Sequence, residues 1–401
     1  MAVAAVRRLV SGAVSAAMIA AIVTTVSVRV AAQKPEAARG RGGIQRVDPG
    51  AFQARLRAAG HRKIGGIAKD KTDRDDARFR SLPHFTSSFR YNGTDFPYTM
   101  VGNPPRSGKP VRLRSVIVPL RMEFAFFADE PIVFEPAFAV QNILDSPLYR
   151  DAAFVNGVGQ FGDMLQRTTF WNRMDPGRDW HVRMAKPRVT APVTILVEPD
   201  IGEVFDVSSD PAHPQLLGNV RFGAMDSQIH TMLQFMDIQP DEVPIFVSYN
   251  VFADALGYHD AFSVPTGGGT ETLQTLIYTS WLEPAFVGDL LADVSTFNHE
   301  LAEWLNDPFV NNVVPLWEYP PLNVTCGDNP FLEVGDPQGN GPQFDSFPTV
   351  PIPLNGYTYH LQDLVMLPWF AHESPSSAQN GWYAYPDPNQ INDARGEVSM
   401  S

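Results

Sequence analysis

From residue 111 onward the apolar positions fall into short dense runs and two longer periodic stretches. Residues 114–124 (RSVIVPLRMEF) are crowded with β-branched and apolar side chains and predict a strand; residues 193–197, 243–249 and 273–281 predict three more. Between them, Met225, Ile229, Met232, Leu233 and Met236 recur at steps of three and four, the spacing of an amphipathic helix. A second helix is predicted over residues 293–308 (DVSTFNHELAEWLNDP), where Val294, Phe297, Leu301 and Leu305 share one face and Pro308 stops the run. Strands and helices alternate without an internal repeat. The expected class is α+β (mixed α/β), with a core over residues 111–310 and an irregular, Pro-, Asn- and Gly-rich C-terminal lobe over 311–401.

The first 110 residues lack this patterning. Arg7 and Arg8 precede an apolar stretch from Leu9 to Val28, and small residues at Val30 and Ala32 precede Gln33, so residues 1–32 read as a cleavable signal peptide rather than a retained anchor. Residues 33–110 are rich in Gly and Arg and read as a charged arm or linker, with a short helix around 51–59. The expected location is secreted or periplasmic. No second apolar run is long enough to cross a membrane, so no stable span is expected after cleavage. The formal net charge is −13, and cleavage would remove three arginines more, which argues against a nucleic-acid partner. Cys326 is the single cysteine, so no intrachain disulfide can staple an exported fold. It reads as a small buried apolar residue.

Chemistry concentrates on the second helix. At about 100° per residue, His299, Glu303 and Asn306 fall together opposite the apolar face, with Glu300 and Asp307 beside them. His299 and Glu303, one turn apart, can reach the same point, and Glu300 stands where a base could take a proton from water. That is the logic of the HExxH zinc hydrolases with the second histidine replaced by glutamate. A bare HExxE also arises as the acidic solvent face of an ordinary helix. The strand predicted at 273–281 precedes the helix as the substrate-binding edge strand does in zincins. Downstream, Glu333 and Asp336 can supply a third ligand and a partner for His299, where a solvated turn is the plain alternative. His259 follows a glycine and can polarise a substrate carbonyl, or serve as a hydrogen-bonded loop residue. His360 and Asp363 can pair. The TGGGT at 266–270 lacks the lysine of a phosphate loop and reads as a connection, and the aromatics of the C-terminal lobe either stack on sugars or cover the core.

Residues 299–309 (HELAEWLNDPF), with 256–259 (LGYH), 333–336 (EVGD), 160–171 (QFGDMLQRTTFW) and 180–182 (WHV), resemble a group of uncharacterised secreted bacterial proteins with a zincin-like HExxE segment. The resemblance spans about residues 111–385. It implies a zincin-like core with an active-site helix, metal at His299 and Glu303, Glu300 as base, and Glu333 as third ligand; it implies no known substrate. The functional expectation is a secreted zinc-dependent hydrolase, metallopeptidase-like, with catalytic Glu300 and His259, metal ligands His299, Glu303, Glu333 and Asp336, and a peptide or glycan substrate. The alternative is a non-catalytic secreted binding protein on a zincin-like scaffold.

Overall fold

The structure is a computed structural model that describes residues 27–28, 42–48, 52, 82–175, 177, 179–266, 270–287, 291–317, 329–338 and 348–392. The chain makes a hairpin of β1 (His84–Tyr91) and β2 (Thr94–Val101), the long strand β3 (Val111–Phe124), and helices α1 (Ala137–Asp145) and α2 (Phe161–Thr169). Strand β4 (Val193–Val197), the pair β5 (Gly202–Asp206) and β6 (Leu216–Val220), and helix α3 (Phe222–Phe235) follow. Next come β7 (Glu242–Tyr249), β8 (Gly257–Thr266), β9 (Thr270–Trp281), helix α4 (Ser295–Asn306), strand β10 (Val313–Trp317), and the hairpin of β11 (Thr349–Leu354) and β12 (Tyr357–Gln362).

The main sheet runs in the order β4-β3-β7-β9-β8, and Ser27–Val28 pairs outside β4. The first four of these strands are parallel; β8 runs antiparallel to β9, with His259 opposite Ile277. Both faces are covered, which is why the strands read as nearly continuous apolar runs. Ile117, Ile245 and Ile277 sit in register and join the core on one side, while Val118, Phe246 and Tyr278 join the core on the other. Helix α4 packs on the first face against β8, β9 and β12. Helix α3 covers the second through Met225, Ile229, Met232 and Leu233. Burial of each such side chain contributes about 1.5–3 kcal/mol. The mixed α+β class expected from the sequence holds.

Several details differ from expectation. The packed part starts before Val111: Phe85, Tyr98, Met100 and Val101 of the β1–β2 hairpin, inside the stretch read as an arm, are buried in the core. Asn312 fixes that hairpin to the end of α4, accepting from Thr99 N at 2.8 Å and donating to Thr99 O and Asn306 O. The edge strand is β8, and β9 is interior, because the segment between β7 and β9 folds back onto β9. The segment after 310, expected to be irregular, carries the β11–β12 hairpin, with Tyr359 and Leu361 in the same core as α4. The signal peptide apart from Ser27–Val28, most of the arm, Cys326 and residues 267–269 of the TGGGT lie outside the described residues. Among the described residues no helix is long and apolar enough to cross a membrane.

Candidate metal centre

All twelve residues of α4 are buried, the polar face included. An acidic face turned to solvent is therefore not what this helix has. The start of α4 is held by Asp293, which accepts from Val294 N and takes the His360 ring Nδ1 at 2.6 Å. Its end is held by Asp307, which accepts from Asn311 N and Asn312 N at 2.9 and 3.1 Å. Asn298 locks α4 to β12 through two amide bonds, accepting from Gln362 N at 2.8 Å and donating to Gln362 O at 3.0 Å.

Six ionisable groups converge beside this helix. His299, Glu300 and Glu303 come from α4, His259 from β8, and Glu333 and Asp336 from the segment after β10; each is no more than 8% exposed. Glu303 sits between the two histidines. Its Oε1 lies 3.1 Å from His299 Nε2 and accepts from Gly335 N at 3.1 Å, while its Oε2 lies 3.6 Å from His259 Nδ1. Asp336 Oδ1 stands 3.6 Å from His299 Nε2, and Glu300 Oε2 stands 3.6 Å from His259 Nδ1. Donor atoms of His299, Glu300 and Glu303 lie within 4.8 Å of one another, as do those of His259, Glu303 and Glu333.

The spacing discriminates between uses. At 3.6 Å a nitrogen and an oxygen are too far apart for a hydrogen bond. Two ligands held tetrahedrally at about 2.1 Å from one ion are separated by about 3.4 Å. Three of the four close pairs fit the second description better than the first. His259 Nε2 is also buried with no hydrogen-bond partner. The donor set, two imidazoles with four carboxylates, suits a divalent cation, and these buried clusters can hold a metal ion.

The electrostatics agree. Burial works against charge on His259 and His299, yet Glu300 and Glu303 around the first, and Glu303, Glu300 and Asp336 around the second, hold both well above the ordinary imidazole range. Burial pushes Glu333 well up, with Glu303 and Asp336 adding to the rise. Glu300 is raised mainly by burial. Burial also opposes the charge on Glu303, but His299 and His259 outweigh it and bring Glu303 down to about 2. Without a cation, protons must balance this cluster; burying several unbalanced charges costs several kcal/mol each.

Every residue predicted for the site is brought to it: Glu300, His259, His299, Glu303, Glu333 and Asp336. His259 stands on a strand rather than in a loop, and its Nδ1 faces the carboxylates as closely as a ligand would. Two residues in the site had no assigned part. Gln362 Oε1 accepts from His299 Nδ1 at 2.9 Å, which leaves Nε2 turned to Glu303 and Asp336, and Gln362 Nε2 donates to Gly335 O at 2.6 Å. Gly335 passes so close to the His299 ring that a Cβ would lie 2.5 Å from Nδ1. His360 and Asp363 do not pair with each other: His360 bonds Asp293, and Asp363 accepts from Gln338 at 2.7 Å. A cavity of ≈ 10 Å³, about the room one water needs, is lined by Ser295, Thr296, His299, Glu300 and Gln362 among others. Comparison with known protein families, curated proteins and solved structures finds no match to this chain.

Proposed function

We propose that the protein is a zinc-dependent hydrolase, metallopeptidase-like, that works outside the cytoplasm. The observation that carries the reading is the fully buried polar face of α4, met by His259, Glu333 and Asp336 from other parts of the chain. The ligands are His299 and Glu303 from α4, completed by a carboxylate of the 333–336 segment, where Asp336 Oδ1 stands 3.6 Å from His299 Nε2 and Glu333 groups with Glu303. Glu303 belongs to both groupings of donor atoms, so any version of the site requires it. An antiparallel edge strand beside the helix also suits a zincin-like core, where such a strand lines an extended substrate.

A zinc ion at this position supplies Lewis acidity, polarising a carbonyl and making water a better nucleophile at neutral pH. The chain's residues do the rest. Glu300 takes the proton at its carboxylate and later returns it to the leaving group, a role served by the upward shift that burial gives it. His259 Nδ1, 3.6 Å from Glu300 Oε2, acts on that carboxylate through its charge rather than through a hydrogen bond, and its unpartnered Nε2 is the donor left for a developing negative charge. Gln362 fixes the ring of His299.

The small volume of the cavity beside Glu300 favours a second reading, a metal-bearing binding protein that does not turn over substrate. Metal content and hydrolysis of peptide libraries, in wild type and Glu300→Gln, separate the two. The hydrolase predicts metal kept and activity lowered by about 10²–10⁴-fold in the variant. Metal kept with no activity in either protein supports the binding role.

A further inference from the structure

Adjacent residues of β8 face opposite ways. His259 looks toward α4, while Tyr258 and Phe262 belong to the core under α3. Asp260 shares their side, and there it meets Asp226 and His230, one turn apart on α3. The donor atoms of these three residues lie within 4.8 Å of one another.

We propose that Asp226, His230 and Asp260 form a second divalent-cation site, of the zinc class, on the opposite face of the strand that carries His259. His230 Nε2 lies 3.5 Å from Asp226 Oδ1 and 3.8 Å from Asp260 Oδ2. Both distances exceed a hydrogen bond and lie near the separation of about 3.4 Å between tetrahedral ligands of one zinc ion. The Asp260 side chain is only 5% exposed, and its Oδ2 is buried without a hydrogen-bond partner, as is His230 Nε2, so both orphaned atoms front the same gap. Asp260 Oδ1 is already occupied by Ala261 N at 2.7 Å, which fixes the carboxylate with Oδ2 toward His230. Tyr258 Oη donates at 3.3 Å to Asp226 Oδ1, the same oxygen that faces His230, so this carboxylate is steadied at the donor atom itself.

One imidazole and two carboxylates leave a fourth position for water. The side chains of Asp226 and His230 are each 22% exposed, so the site opens to solvent on that side. Its role follows from its placement. Among the described residues β8 pairs in the sheet with β9 alone, and a cation shared by Asp260 and α3 clamps its other face, steadying the backbone beside His259.

The test is a zinc titration of the full chain after chelation, with melting measured in parallel, in wild type, His299→Ala, His230→Gln and the double variant. His299→Ala is expected to retain about one equivalent of zinc and a melting temperature that zinc raises by several degrees. The double variant is expected to lose both. Asp226→Asn, a half-buried isosteric change, is expected to weaken the same equivalent at least tenfold and covers the case in which His230→Gln fails to fold. If the α4 centre binds no zinc, wild type and His299→Ala titrate alike and only His230→Gln loses its equivalent, so the two assignments fail separately. Zinc stoichiometry and affinity unchanged by both His230→Gln and Asp226→Asn would overturn the second site.

Discussion

Helices α3 and α4 carry the same apolar periodicity and put it to different use. In α3 the apolar face meets the sheet, while Gly223, Ser227, Gln234 and Phe235 stand in solvent. In α4 nothing reaches solvent, and the polar face bears His299, Glu300 and Glu303. Periodicity reports which side of a helix is apolar; it does not report what covers the other side. The informative quantity in α4 is buried charge, which must be matched by partners from elsewhere in the chain.

The sharpest way to break this contrast is at Glu303. Glu303→Gln in the metal-free protein leaves His259 and His299 with one anion fewer between them, and is expected to lower unfolding stability by about 3–5 kcal/mol. Gln234→Ala on the exposed side of α3 should stay within about 0.5 kcal/mol. Denaturant unfolding reads both, and equal effects would erase the distinction. Gln362→Leu removes the acceptor for His299 Nδ1–H and is expected to weaken metal binding about 10–100-fold, measured by competition with a chromophoric chelator.

Glycine offers a smaller version of the same comparison. Gly335→Ala would press a methyl group onto the His299 ring and is expected to cost about 1–3 kcal/mol. Gly223→Ala in α3 meets nothing within 4 Å and is expected to stabilise by about 0.5 kcal/mol. A Gly335→Ala protein as stable as wild type would show that the loop does not hold this ring.

The pH dependence has a definite sign. His259 and His299 hold their protons well above the unfolded value of 6.5, so their contribution to metal-free stability is complete below that pH and is lost as pH rises through the folded values. Glu303 works the other way, losing its contribution as pH falls from 4.5 toward 2. The melting temperature of chelated protein should therefore fall above about pH 6.5. Metal replaces those protons, so metal affinity should rise over the same interval. A flat melting profile with a chelator present would mean that the histidines are not charged in the metal-free fold.

Much of the site was legible because His299, Glu300 and Glu303 lie within little more than one turn of α4, and Glu333 and Asp336 follow within forty residues. Gln362 was not, since its part depends on where β12 crosses α4, and a glutamine has no chemistry of its own to announce it. The hairpin that delivers it did leave a signal. Asn355 and Gly356 both have positive φ, 54° and 79°, the requirement of a tight two-residue turn that Asn-Gly meets at low cost. Asn92 and Gly93, at 46° and 80°, make the same turn between β1 and β2, and that Asn-Gly marks strands in a stretch whose composition suggested an arm. The position of β8 was hidden for another reason. Its edge placement follows from folding back on β9, and no local pattern distinguishes that from a loop before a strand.

The most direct measurement is the metal content of α4's centre. Wild-type protein purified with zinc available should carry metal that His299→Ala loses, in an otherwise folded chain, with any second equivalent on Asp226, His230 and Asp260 accounted for by His230→Gln. Wild-type protein with no stoichiometric metal at His299, and His299→Ala unchanged in both metal content and stability, would contradict the account: the buried polar face of α4 would then be balanced by protons alone.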